Sequence, residues 1–358
     1  MANQVLYGFQ NLQDRWDAKV TAQMIPVINQ AIDDTLAEHN RQLEAMIGLF
    51  ANRTTDFKQR YKTPTLNRLQ PIDEIGRARP IRTAGQYDIA FPMQSAGTAW
   101  GETYQASLHR TVAETNNTMS TLLLGDILWL RDHMFAALYT NTSWTYNDEN
   151  DDVGSLTIKP LANGDSDVYA IQTGTMNGTT DDHYQAQADA IADADDPFPS
   201  IATELSEHPE NSGELISLIP TGLVAAVKGL TAYIPANDQN IRYGADVTTL
   251  TGSLNVTVPG KVFGYHDSGV WLVEWPSMVA NYIISVASGG PRPLAMREDT
   301  IPELRGFNRV ASRDDYPYYE SQYLRKAGFG GQNRVGAVVT RVGNGTYAIP
   351  TGYTAPMP

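Results

Sequence analysis

The sequence contains no cysteine. That absence excludes disulfides, thiolate-bound metals, iron–sulfur clusters and cysteine nucleophiles. It fits a chain made and kept in a reducing cytoplasm. Charge is also sparse. Asp, Glu, Lys and Arg make up 18% of the 358 residues, below the usual quarter. Basic residues are the scarcer sign, 26 against 40 acidic ones, for a net charge of -14. A surface of that sign repels phosphates, which argues against simple binding to nucleic acid or anionic membranes. Long apolar runs are missing. The internal uncharged stretch between Glu274 and Arg292 is broken by Pro276, Asn281, Gly289 and Gly290, so it makes a poor membrane span. The opening residues show no basic stretch followed by an apolar one, and no secretory signal is expected.

Catalytic signatures are missing too. The six histidines (His39, His109, His133, His183, His208, His266) show neither HxxxH nor HxH spacing, which argues against zinc. No GxSxG elbow and no phosphate-binding Walker loop occurs. Gly328-Phe329-Gly330 begins like a dinucleotide loop, but Asn333 stands where the third glycine belongs. Asp148, Asn150 and Asp152 match positions 1, 3 and 5 of a calcium loop. Val153 replaces its glycine and Lys159 its bidentate glutamate, so a solvated acidic loop is the expectation. No cofactor is expected, and no catalytic or metal-binding residue is singled out.

What is present is an apolar fraction of 42%, enough for a packed core, on a chain long enough for two average domains or one large one. Ile28, Ile32, Leu36, His39, Leu43, Ile47 and Phe50 recur at helical spacing after Pro26. Such a stripe packs on its own chain or on another subunit. Residues 53–101 lose the helical period. Asp56–Tyr61 and Gln86–Phe91 are strand candidates in a polar, proline-rich stretch. Between Arg53 and Arg82 stand eight basic residues against three acidic ones, a local charge of +5. Thr111-Val112-Ala113-Glu114 is a capping box, and Leu123, Ile127, Leu130, Met134 and Leu138 follow at helical spacing. A helix over about 111–141 is expected, some 45 Å long.

From Asp148 to Glu214 sixteen carboxylates face one lysine, a local charge of -15. Strands are expected at Leu156–Pro160, Val168–Thr173 and Glu214–Ile219, with helices near Ser200–Glu207 and Thr221–Gly229. Residues 247–286 hold three or four further strands. VGAVVTRV and GTYAIP add two more around Gly343-Asn344-Gly345. Tyr316, Tyr318, Tyr319, Tyr323 and Phe329 cluster near the end with arginines, as core or as inter-subunit anchors.

The order of elements resembles the major capsid proteins of tailed bacteriophages, the Hong Kong 97-type fold. FPMQSAGTAWGETYQASLHRTVAETNN (91–117) looks like that family's passage from extended loop to spine helix. PLAMREDTIPELRGFNR (293–309) and YLRKAGFGGQNRVGAVVTRV (323–342) look like its closing segment. The resemblance implies an α+β chain. Its parts are an N-terminal helical arm (1–52), an extended β-hairpin loop (53–103), a peripheral domain with the long spine helix (104–195), an axial domain (196–290) and closing peripheral strands (291–358). It further implies a non-enzymatic subunit that assembles with itself into pentamers and hexamers. Those would tile an icosahedral shell around double-stranded DNA, held without sequence-specific binding. The location would be the virion, after assembly in the host cytoplasm, with no membrane involved. Expected partners are a separate scaffolding protein, a portal and, optionally, a decoration protein. Lys58, Arg60, Lys62, Arg68, Arg77, Arg79 and Arg82 are the expected inter-subunit contacts of the extended loop. An encapsulin-type shell, which packages protein instead of DNA, is the alternative. A cytosolic hydrolase with a carboxylate pair among the forty acids is a distant one.

Overall fold

The computed structural model describes residues 25–62, 86–107, 109–148, 154–172, 179–235, 256–313 and 316–357. It also describes positions 16, 17, 19, 71, 72, 74–76 and 254. The helical stripe near the start forms α1 (Ile25–Ile47). Its apolar residues pack on their own chain: Ile28, Ile32 and Leu36 meet Met119, Leu123, Phe307 and Tyr323. β1 (Ala51–Thr54) follows, then a hairpin of β2 (Lys58–Lys62) and β3 (Gln86–Ala90), with Lys58 opposite Ala90 and Lys62 opposite Gln86. Next come β4 (Gln94–Thr103), the short α2 (Tyr104–Ser107) and the long α3 (Val112–Tyr139). The Thr111 hydroxyl accepts from the Glu114 N–H while the Glu114 carboxylate accepts from the Thr111 N–H, so the capping box is formed.

β5 (Trp144–Asp148) and β6 (Gly154–Ile158) make a second hairpin. The chain continues through β7 (Tyr184–Gln187), α4 (Phe198–Ser206), β8 (Leu215–Ile219), α5 (Thr221–Lys228), β9 (Tyr233–Pro235), β10 (Lys261–His266), β11 (Val270–Glu274) and β12 (Tyr282–Ala287). It closes with β13 (Leu294–Glu298), β14 (Phe307–Arg313), β15 (Tyr318–Gly331) and β16 (Ala337–Val342).

Seven strands form one sheet in the order β7-β16-β12-β8-β11-β10-β9. Both of its faces are covered, so its central strands read as unbroken apolar runs. Ile216, Leu218, Val273, Ile284 and Val339 face the core shared with α3. Ile219, Leu272, Ile283 and Val338 face α4 and α5. The second sheet is built on β15. β4 and β14 pair along its opposite edges, β13 pairs with its last residues, and β1 runs parallel to β13. Leu130, Met134 and Leu138 of α3 join Met296 and Phe329 of this sheet to the core of the first.

Three expectations change. β4 lies beyond the strand candidates Asp56–Tyr61 and Gln86–Phe91, yet it pairs with β15 over ten residues. Its small residues Ser95, Gly97, Ala99 and Gly101 carry little strand propensity, so the partner strand specifies it. GTYAIP is not a strand: the Tyr347 hydroxyl donates to the Tyr139 carbonyl and the Tyr282 hydroxyl to the Ala348 carbonyl, at 2.7 and 2.6 Å. Side chains, not a ladder, hold it. Of Val168–Thr173, the described part makes only a bridge between Tyr169 and Thr179. Most of 247–255 lies outside the described residues.

The GFGG run is the middle of a core strand, and its glycines answer to close main-chain approach. A Cβ on Gly328 would stand 2.3 Å from the Pro92 carbonyl oxygen, and one on Gly330 2.7 Å from that of Ala90.

α1, α3 and β15 are joined by a buried ionic cluster. Arg325 clamps the Asp126 carboxylate with Nε and with Nη2, the latter at 2.6 Å. His39 Nε2 lies 2.8 Å from the same carboxylate, and Arg325 Nη2 also donates to Asn40 Oδ1. Burial by itself pushes the Asp126 carboxyl up. The hydrogen bond with His39 and the Arg325 charge outweigh burial and hold it below the usual carboxylate range.

Two outcomes are expected. Leu130 is fully buried on α3, so Leu130→Ala should lower subunit stability by about 2–5 kcal/mol, read as protease sensitivity and an earlier denaturant midpoint. Asp126→Asn leaves Arg325 buried without its counter-charge and should cost about 3–5 kcal/mol at neutral pH. Because the folded pKa of Asp126 is depressed, its contribution is complete above about pH 5 and is lost as pH falls through the folded value. The gap between wild type and variant in urea titrations should therefore narrow in acid.

Candidate assembly surface

β2 carries three of the seven basic residues singled out in the sequence, Lys58, Arg60 and Lys62. Arg60 Nε donates to Asp88 Oδ1 at 2.7 Å, and Lys58 Nζ lies 3.0 Å from Asp88 Oδ2. Asp88 sits on the facing strand opposite Arg60. The Arg60 hydrogen bond, then that of Lys58, hold its carboxyl well below the usual range. Two of the seven residues are thus engaged across their own hairpin. Lys62 closes β2 opposite Gln86. Arg68, Arg77, Arg79 and Arg82 lie outside the described residues. The hairpin itself rests on its own chain, where Tyr87 stacks with Tyr61 at 5.7 Å and meets Tyr169 edge-on at 5.8 Å. Ile89 and Phe91 are buried beneath it.

The acidic segment is also partly spent inside the chain. Asp148, the first residue of the calcium-like pattern, is buried against Arg297 of β13, with Arg297 Nη1 2.5 Å from its Oδ2. Asn150 and Asp152 lie outside the described residues. Arg334 is fully buried. It donates to the Pro160 and Leu161 carbonyls and to Asn163 Oδ1, and it pairs with Asp165 at 2.8 Å and with Asp167. Closing-segment arginines therefore neutralise acids that the sequence left available for a neighbour.

Apolar exposure gives a second signal. Among the described residues, the largest apolar side chains most open to solvent are Ile75 and Tyr316 at 78%, Ile72 at 63% and Tyr318 at 58%. The two isoleucines lie in the sequence between β2 and β3. The two tyrosines stand where β14 turns into β15, with Tyr104 5.7 Å from the Tyr316 ring and 6.0 Å from that of Tyr319. The terminal aromatic cluster divides: Tyr323 and Phe329 are core, while Tyr316 and Tyr318 face outward. Ile72 and Ile75 were legible only as isolated apolar residues inside a polar, proline-rich stretch.

No family model matches the chain, and no curated protein matches it in sequence. Its likeness is to solved structures. A chain from Mycobacterium phage Patience is 18% identical, with a TM-score of 0.67 over 94% of this chain and 94% of that one. The fold is the Hong Kong 97 type of tailed-phage major capsid proteins. The capsid of the cyanophage P-SCSP1u is 10% identical with a TM-score of 0.47, covering 83% of this chain and 87% of that one. The capsid of a native GTA particle is 11% identical with a TM-score of 0.46, covering 83% and 90%. Among the described residues, no helix is long and apolar enough to cross a membrane.

Aromatic side chains are enriched among the anchor residues of protein–protein interfaces, which gives Tyr316 and Tyr318 a direct test. Replacing both Tyr316 and Tyr318 by Ser should leave the subunit's unfolding midpoint within about 0.5 kcal/mol of wild type. Particle yield, read by sedimentation, should fall steeply.

Proposed function

We propose that this chain is the major capsid protein of a tailed phage. Identical copies form pentamers and hexamers, and these tile an icosahedral shell around double-stranded DNA. The observation that carries the proposal is agreement with the phage Patience chain along 94% of both chains. The exposed apolar side chains of Ile72, Ile75, Tyr316 and Tyr318 support it, as surface open to a neighbour.

On this reading the subunit's role is structural, not catalytic, and its location is the virion. The net charge of -14 lets the shell hold DNA without gripping it. The segment between β2 and β3 reaches a neighbouring subunit, and Arg68, Arg77, Arg79 and Arg82 contribute charge to that contact. A scaffolding protein and a portal act with it during assembly.

Electron microscopy and sedimentation of the purified chain test the proposal, with and without a co-expressed scaffolding protein. Closed shells, or free pentamers and hexamers, are expected. A chain that stays monomeric at every concentration in both settings would overturn it. Shells filled with a protein cargo in place of DNA would favour the encapsulin reading.

A further inference from the structure

One buried cluster lies apart from the ionic core and from the exposed surfaces. Residues 181–183 lead into β7, and Glu207 and His208 follow the C-terminal end of α4. His183 and His208 are buried almost completely. The Asp181 side chain is nine-tenths buried.

Both rings are oriented from behind. Nδ1 of His183 donates to the Ala337 carbonyl at 2.9 Å, and Nδ1 of His208 donates to the Ala170 carbonyl at 3.0 Å. In the neutral rings this fixes the proton on Nδ1 and leaves the Nε2 lone pair free. The two Nε2 atoms face each other at 3.1 Å. Asp181 Oδ2 lies 2.8 Å from one and 3.7 Å from the other. It accepts no well-directed hydrogen bond. Three electron-pair donors therefore converge on one point.

We propose that Asp181, His183 and His208 bind a divalent transition metal, zinc being the best match, with Glu204 or Glu207 completing the shell. Several observations agree. Imidazoles held by Nδ1–H bonds to backbone carbonyls are how metal-bound histidines are usually oriented. Ligands about 2.0–2.1 Å from a tetrahedral zinc stand about 3.3–3.4 Å apart, and the three separations here (2.8, 3.1 and 3.7 Å) bracket that value. Two nitrogen ligands disfavour calcium and magnesium, which take oxygen. The site abuts the negative end of α4, which favours a cation.

Anionic groups are also in excess there. Ligand oxygens of Asp181, Glu204 and Glu207 all lie within 4.8 Å of one another. A proton is the rival occupant. An imidazolium at His208 donates its Nε2–H along one line, to His183 or to Asp181, and leaves the other acceptor unmet. A metal meets all three. Because its ligands come from two segments about 25 residues apart, no short spacing in the sequence announced it. The ion would staple the residues before β7 to the end of α4.

The full-length wild-type chain, stripped with chelator, should take up one zinc per chain and melt at a higher temperature. Cobalt should bind in its place and give the intense visible absorption of a four- or five-coordinate site. His208→Gln and Asp181→Asn should each weaken zinc binding by at least about tenfold. His266→Gln, at a buried histidine elsewhere, should not. If the site variants fail to fold, the cobalt spectrum of the wild type decides alone. Wild-type protein that takes up no zinc, shows only the pale spectrum of six-coordinate cobalt, or keeps a proton on His208 Nε2 in excess zinc would overturn the proposal.

Discussion

The closing third of the chain buries arginines, and the rest of the fold is arranged to receive them. Arg297, Arg325 and Arg334 lie within the protein. Their counter-charges come from much earlier: Asp148 from β5, Asp126 from α3, and Asp165 and Asp167 from the acidic segment. A buried guanidinium without its carboxylate costs several kcal/mol, whereas the intact pair adds little beyond what apolar packing would give. What these pairs confer is therefore selectivity. A one-residue slip of β15 against β4 and β14 would send its side chains to the other face and part Arg325 from Asp126 and Asn40.

The same requirement orders the two sheets around α3. The helix supplies Asp126 to the β15 sheet and, further along, Leu130, Met134 and Leu138 to the core that both sheets share. α1 enters this arrangement through His39, which reaches the same carboxylate. The N-terminal helix is thus fastened by a hydrogen bond to a buried carboxylate as well as by its apolar stripe.

Local chemistry made part of this legible. The Thr111–Glu114 capping box and the α1 stripe name their helices outright, because caps and helical periodicity act within a few residues. LISLI announces a strand buried on both faces. β4 gives no such signal, because alternating small residues fit a pleated edge only when a partner lies beside them. The glycines at 328 and 330 look like a nucleotide loop in sequence. Their reason is the Ala90–Pro92 main chain passing close by, a contact some 240 residues away along the chain. Charge counts were only partly informative for a related cause. The +5 and -15 segments suggest complementary surfaces, and the fold pairs part of each within the chain: Lys58 and Arg60 are met by Asp88, and Asp148, Asp165 and Asp167 by buried arginines. Counting charges along a chain cannot show which of them the fold has already paired.

That internal pairing bears on how a shell could be built from such a subunit. With these strong, geometrically exacting ion pairs consumed within the chain, the described surface open to association offers exposed apolar residues and solvated charges. Contacts of that kind are individually weak. A closed shell repeats each of them in every subunit, so weak contacts suffice in sum, while a misplaced subunit still dissociates before it is trapped. A subunit that needed a neighbour to neutralise Arg325 or Arg334 would have no stable free state from which to correct errors. On the proposed role, placing the demanding interactions inside and the forgiving ones outside would let folding finish before assembly begins.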